Sequence, residues 1–229
     1  MQKEMNNALP MHLAIILDGN RRWAKDNSKS VNEGHQAGIE NLKTITKVVK
    51  ELGIKYLTVY AFSIDNLKRS RLEVDYLFNA ARHEFDELSK KTDMENNIRI
   101  IGEKNNLPAD LVKIIDQVNS RPWIDDAFTL LIAFNYRSDY EIASACKKAI
   151  QNKEEIKPEV ISKYLYTYPA PPVDLLIRTS GEQRLSGFLL YQMSYAELYF
   201  SDVYWPEFDE GELQKALQSY QMRQRRLGE

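Results

Sequence analysis

The sequence predicts a single α/β domain: a mostly parallel central sheet of about six strands, flanked by helices. Three observations predict it. Short apolar runs alternate along the chain with longer segments of helical spacing. The runs are continuously apolar, as strands buried on both faces are. And 229 residues with a 43% apolar fraction can build one substantial core, with no break that favours two domains. The domain is expected to span 1–229. Residues 1–11 form a flexible N-terminus, and about 211–229 form a C-terminal helix and tail. No internal repeat or low-complexity segment appears.

The elements follow in order. His12 to Leu17 reads as the first strand. Gly34 to Leu52 has helical spacing, with Ile39, Leu42, Ile45 and Val49 on one face. Lys55 to Phe62 is a second strand. Leu72 to Leu88 is a long helix aligning Leu77, Ala81, Phe85 and Leu88. Further strands are expected at Asn97 to Ile101, Phe128 to Phe134, Val173 to Ile177 and Glu197 to Phe200. Helices are expected at Ala109 to Asn119, Tyr140 to Gln151 and Pro158 to Tyr164, with a last one from about Gly211. The prolines of Tyr166 to Pro172 stop the helix before them.

Composition narrows the function. Charge is nearly balanced, 31 basic residues against 33 acidic, which argues against broad binding to nucleic acid. An anion site must therefore be local. The single cysteine, Cys146, excludes an internal disulfide and sits with Ala145 and Ala149 on a packing face. There is no signal-peptide stretch, and no apolar run approaches the ~20 residues of a membrane span. A cytoplasmic location is expected.

Chemistry gathers at the carboxyl ends of three strands, where open α/β sheets bind ligands. Asp18, followed by Gly19, Asn20, Arg21, Arg22 and Trp23, closes the first strand. A carboxylate there suits Mg²⁺, which takes one or two protein carboxylates and completes its shell with phosphate and water. The same residues also suit a turn in which Asp18 caps a short helix. Gly34-His35 starts the next helix, where His35 is either an anion donor or a cap. Phe62 to Arg69 follows the second strand, with Glu73 one turn into the next helix. Arg178-Thr179-Ser180-Gly181-Glu182-Gln183-Arg184-Leu185-Ser186 follows a third. Arginine forks match phosphate oxygens. No P-loop, dinucleotide fingerprint, nucleophile elbow or metal-spaced Cys/His cluster is present. Metal-assisted chemistry on a diphosphate, without a nucleotide, is what remains.

Six blocks in order resemble the cis-prenyltransferase family: D-G-N-R-R-W-A (Asp18 to Ala24), G-H-Q-A-G (Gly34 to Gly38), A-F-S-I-D-N (Ala61 to Asn66), R-T-S-G-E-Q-R-L-S (Arg178 to Ser186), Y-A-E-L-Y-F (Tyr195 to Phe200) and R-R-L-G (Arg225 to Gly228). The resemblance runs from His12 to Gly228. It implies condensation of isopentenyl diphosphate onto an allylic diphosphate, with a new Z double bond. By that resemblance, Asp18 binds Mg²⁺ on the allylic diphosphate, and Glu197 helps organise metal and substrate. The backbone amides of Gly19, Asn20 and Arg21, with Arg22 and His35, hold the allylic diphosphate, and Trp23 belongs to the substrate-binding set. Arg178, Arg184 and Ser186 hold isopentenyl diphosphate. Ser63 and Asn66 move the proton, with Arg69 and Glu73 in support. Ile39, Ala61, Leu77, Ala81 and Phe85 line a product tunnel, though each is also ordinary core. A homodimer is implied, with Arg226, Leu227 and Gly228 near the partner's site, together with a peripheral membrane contact for product release.

Several positions depart from the family's pattern. Val31 stands where long-chain members carry an arginine. Leu67 replaces a tryptophan, Ser70 a proline, Gly187 an asparagine and Tyr191 a tryptophan. Asn135-Tyr136-Arg137-Ser138 replaces Asn-Tyr-Gly-Gly. Three readings follow: a polyprenyl synthase of the undecaprenyl type, a divergent paralogue making a short or branched prenyl diphosphate, and a non-catalytic partner subunit. Retention of Asp18, His35, Arg178, Arg184, Ser186 and Glu197 argues against the third.

Overall fold

The computed structural model describes residues 9–90 and 95–223. Its strands are β1 (His12–Ile16), β2 (Tyr56–Ser63), β3 (Asn97–Ile101), β4 (Thr129–Tyr136), β5 (Leu175–Arg178) and β6 (Glu197–Phe200). Its helices are α1 (Asn20–Asp26), α2 (Val31–Glu51), α3 (Arg71–Lys90), α4 (Ala109–Asn119), α5 (Ser138–Gln151), α6 (Pro158–Tyr164) and α7 (Glu210–Gln221). The strands form one six-stranded sheet in the order β3-β4-β2-β1-β5-β6. This is the α/β architecture expected from the alternation of apolar runs and helical segments.

Three elements escaped the periodicity. α1 has only seven residues, too few to display a stripe. The 3₁₀ turns at Ile64–Lys68 and Trp205–Glu207 are shorter still. The second helix also begins three residues before Gly34. Ser30 caps it, accepting from the Glu33 amide, while the Glu33 side chain accepts from the Ser30 amide. Gly34 and His35 are therefore inside the helix and do not open it.

The chain divides into two compact units. The first takes the described parts of Met1–Leu57, Pro172–Arg184 and Gln192–Glu229. β1 and β5 are its centre, and all their residues are buried. They pair in parallel, Leu13 opposite Leu175 and Ile16 opposite Arg178. Asp174 ties the start of β1 down by accepting from the amides of Met11 and His12. Residues 9–11 are thus held, Pro10 is buried, and 1–8 lie outside the described residues. Trp205 is fully buried and donates its indole N–H to the Gly38 carbonyl, 2.8 Å away. Asn41 returns two bonds to the carbonyls of Trp205 and Phe208.

The second unit takes the described parts of Thr58–Pro171 and Leu185–Tyr191. β3 and β4 pair in parallel, and every residue of β4 is buried. Phe62, Phe78, Phe85 and Phe134 form one aromatic cluster, with Phe85 edge-on to Phe134 at 5.4 Å. A second group stacks Phe188 on Tyr60 at 4.5 Å, with Tyr136 across both. Cys146 is half-buried and packs on Ala145, Ile161 and Leu165, as a packing residue would.

Candidate active site

In the first unit, chemistry collects past the carboxyl ends of β1 and β5. β1 ends at Ile16, and the chain turns at Gly19, whose φ of 113° strains any L side chain. α1 starts at once, without a side-chain cap at Gly19. Asp18 therefore does not cap it, contrary to the turn reading. Asp18 is held by its own peptide: its amide donates to Thr179 Oγ1 at 3.0 Å, and the Thr179 hydroxyl donates to its carbonyl at 2.6 Å. The Asp18 carbonyl also accepts from the Trp205 amide.

The Asp18 carboxylate sits between two guanidiniums. Arg178 Nη2 donates to Oδ2 at 2.9 Å, and Arg22 Nη2 stands 3.6 Å from Oδ1. Arg178 is buried at its root, 4% exposed, and donates its other fork to the Arg184 carbonyl. Arg22 continues the row, with Nη1 at 3.2 Å from Glu182 Oε1 and bonded to the Ser180 carbonyl. Arg184 bonds the other oxygen of Glu182. The result is an alternating row, Arg178–Asp18–Arg22–Glu182–Arg184, three cations on two anions. Arg22 also lies 5.8 Å from the Tyr204 ring centroid.

Two glycines set α1 against α2. A Cβ on Gly34 would overlap the Asn20 carbonyl oxygen and lie 2.8 Å from the Ala24 methyl. One on Gly38 would lie 2.9 Å from the Asn20 side-chain carbon. His35 is buried between these glycines in sequence. Trp23 donates its indole N–H to Glu207, while Arg21 is exposed.

A metal at this site would rest on a single carboxylate. Among the described residues no group of three or more His, Cys, Asp and Glu stands ready for an ion. One half-exposed carboxylate with hard oxygen donors fits Mg²⁺, which takes the rest of its shell from phosphate and water. Glu197 does not fit beside it. Leu13, Leu175 and Glu197 are level across β1, β5 and β6, whereas Asp18 lies five residues beyond Leu13. At ~3.3 Å per residue that is on the order of 16 Å along the strands. Glu197 binds Arg223 instead, at 2.7 Å. Asp18 and Glu197, both expected at metal positions, are thus not brought together within one chain. A motif match gives a position but not the end of the strand it occupies.

The second unit brings another set together. Ser63 ends β2 and caps the 3₁₀ turn: it accepts from the Asn66 amide, and the Asn66 side chain accepts from the Ser63 amide. Ser63 and Asn66, expected to move a proton, are therefore held face to face. Arg69 and Glu73 form an ion pair of 3.0 Å. Tyr60 joins the groups, donating to the carbonyls of Tyr136, at 3.0 Å, and Ser186, at 3.4 Å. Burial holds its phenol well above the ordinary range, while a bond from Ser63 works the other way. Ala61 is exposed between buried Tyr60 and Phe62. Ala81 and Phe85 are buried, and Phe85 belongs to the aromatic core. Leu77, and Ile39 of the first unit, are half-buried.

The departures have local structural roles. The Ser70 hydroxyl accepts from the Glu73 amide at the start of α3. The Tyr191 hydroxyl donates to the Pro158 carbonyl. Ser138 is buried, accepting from the Leu190 amide while its own amide donates to Gly187. Val31 is the first residue of α2 and exposed, and Leu67 is half-buried. Nothing in the structure explains those two exchanges. Arg225 to Gly228 lie outside the described residues.

Residues 16–228 match the family described as "Putative undecaprenyl diphosphate synthase". The chain belongs to the undecaprenyl diphosphate synthase family. An isoprenyl transferase of Fusobacterium nucleatum is 46% identical to it over 228 residues, covering 98% of each chain. A (2E,6E)-farnesyl-diphosphate-specific ditrans,polycis-undecaprenyl-diphosphate synthase of Haemophilus ducreyi is 42% identical, covering 96% of this chain and 94% of that protein. A crystal structure of lavandulyl diphosphate synthase from Lavandula x intermedia, in complex with dimethylallyl diphosphate, superposes with a TM-score of 0.86. It is 34% identical, covering 96% of this chain and 99% of that one. As a member of this family the chain is an enzyme, a cis-prenyltransferase making Z-prenyl diphosphates. No helix among the described residues is long and apolar enough to cross a membrane.

Proposed function

We propose that the enzyme condenses isopentenyl diphosphate with an allylic diphosphate and extends it to a polyprenyl diphosphate of the undecaprenyl type. The observation that carries this reading is the Asp18 carboxylate set between Arg178 and Arg22. Ionisation of the allylic C–O bond builds negative charge on the leaving diphosphate. Fixed cationic donors stabilise that charge more in the transition state than in the ground state. Arg22, His35 and the amides from Gly19 to Arg21 hold the allylic diphosphate. Arg178, Arg184 and Ser186 hold isopentenyl diphosphate, which removes much of the orientational cost of attack. Mg²⁺, held by Asp18, would neutralise charge on the leaving group. The alkene attacks the allylic carbon as its C–O bond to diphosphate breaks, and the C2 proton is then lost, relayed by Ser63 and Asn66 to a diphosphate oxygen. Tyr60 stays a neutral hydroxyl there and orients Ser63. The product chain grows past Ala61, Leu77 and Ile39. The enzyme works as a homodimer, located in the cytoplasm, with Arg226 to Gly228 serving the partner.

One observation favours a second reading. Val31 presents an aliphatic side chain on the first turn of α2, where long-chain members carry a cation. A short-chain or branched product would accompany such a change in the allylic half. Purified protein with labelled isopentenyl diphosphate, Mg²⁺ and dimethylallyl, geranyl or farnesyl diphosphate in turn decides the matter. A C55 chain from the farnesyl acceptor is the expected result. A short or branched product would establish the second reading, and no product with any acceptor would overturn both.

A further inference from the structure

Glu182 has no part in the mechanism above, yet it stands in the middle of the charged row. Its Oε1 is 3.2 Å from Arg22 Nη1, and its Oε2 accepts from Arg184. One carboxylate thus spends an oxygen on each of two arginines assigned to different diphosphates. Its position is set by the backbone. Gly181 has a φ of 73°, and its amide donates to the Ser201 carbonyl at 2.8 Å. Arg22 and Arg184 remain 42% and 61% exposed, so a solute reaches them. A guanidinium uses the same donors for a carboxylate as for a phosphate. The donors that Glu182 occupies are therefore among those a diphosphate needs.

We propose that Glu182 is an internal counter-anion that competes with diphosphate for Arg22 and Arg184. It holds both side chains in the ligand-free protein, reclaims Arg22 as inorganic diphosphate leaves, and reclaims Arg184 when the diphosphate brought in on isopentenyl diphosphate moves off with the product. The proposal rests on the assignment of those two arginines to diphosphate. With Glu182 in place the row carries three positive and two negative charges. Without its charge two positive charges are unmatched, and an incoming anion has neither a competitor to displace nor a carboxylate to approach. Each exposed pair of this kind shifts an equilibrium by roughly twofold to fivefold.

Calorimetric titration with inorganic diphosphate, without metal, tests this in wild type, Glu182→Gln and Glu182→Ala. Glu210→Gln, exposed at the start of α7, makes the same change in net charge elsewhere and serves as the control. The expected result is a Kd about fivefold lower in both Glu182 variants and unchanged in the control. In turnover assays, inhibition by inorganic diphosphate strengthens in parallel, and later turnovers slow relative to the first. An unchanged or higher Kd in the Glu182 variants overturns the proposal, as does an equal shift in the control or a complete lack of binding. Wild type that binds inorganic diphosphate but converts no isopentenyl diphosphate refutes the proposed reaction and leaves this comparison intact.

Discussion

Asp18 shows how much one side chain is asked to do. It partners the buried Arg178, it partners Arg22, and it is the carboxylate offered to a metal. The pairing with arginine and the metal duty separate by substitution. Asp18→Asn keeps an acceptor for Arg178, so the folded state keeps its bond while the charge is lost. We expect turnover to fall by about a hundredfold or more, with thermal unfolding close to wild type. Asp18→Ala strips the partner from a largely buried guanidinium and should also lower the melting temperature. Near-wild-type turnover of the asparagine variant would remove Asp18 from the chemistry. Arg178, Arg184, Ser63 and Asn66 were all legible in the sequence, because motif blocks name residue types outright. Glu182, Thr179 and Tyr60 were not singled out. Thr179 and Glu182 lie inside the R-T-S-G-E-Q-R-L-S block, but their partners Asp18 and Arg22, like Tyr136 for Tyr60, lie far along the chain, and only folding brings them together.

At the scale of elements, two steric fits are the sharpest features. Gly34 lets α2 rest on α1. Alanine is normally the better helix former, by about 1 kcal/mol. Here its methyl would meet backbone oxygen, which is not a flexible side-chain end. Overpacking of roughly 1–3 kcal/mol should win, and chemical denaturation of Gly34→Ala will show a net loss; a net gain would mean that α1 moves aside. The second fit concerns Gly187, with a φ of 73°. A Cβ there would lie 2.9 Å from Arg137 Cγ. Arg137 is itself fixed by Asp139 and the Tyr140 ring, and faces Asp65 at 3.6 Å. Arg137 thus fills space that a side chain at 187 would need. Gly187→Ala should destabilise more in wild type than in an Arg137→Gly background, and additive effects in that cycle would disprove the coupling. Periodicity located the main strands and long helices because each buries a long stripe. It misplaced the start of α2, because the capping box at Ser30 and Glu33 precedes the apolar positions.

For the whole molecule, the net charge of −2 hides a local excess of arginine past β1 and β5. The anion site is a property of where strands end, which composition cannot report. Product length is also set at this scale, since it depends on how much apolar space the fold leaves open. Ala61 is the exposed residue in an otherwise buried run of β2. Ala61→Leu should shift the products to shorter chains while initial condensation continues, as read by mass spectrometry of the extracted lipids. An unchanged length distribution would mean the chain grows elsewhere. The seating of α1 on α2 has a mechanical consequence. α2 has 21 residues, so it is about 32 Å long. Gly34 and Gly38, one turn apart, leave no slack between it and Asn20. The two helices are therefore in direct backbone-to-backbone contact at this crossing. A change in the tilt of α2 at Gly34 and Gly38 would press first on Asn20, the residue that follows the turn at Gly19.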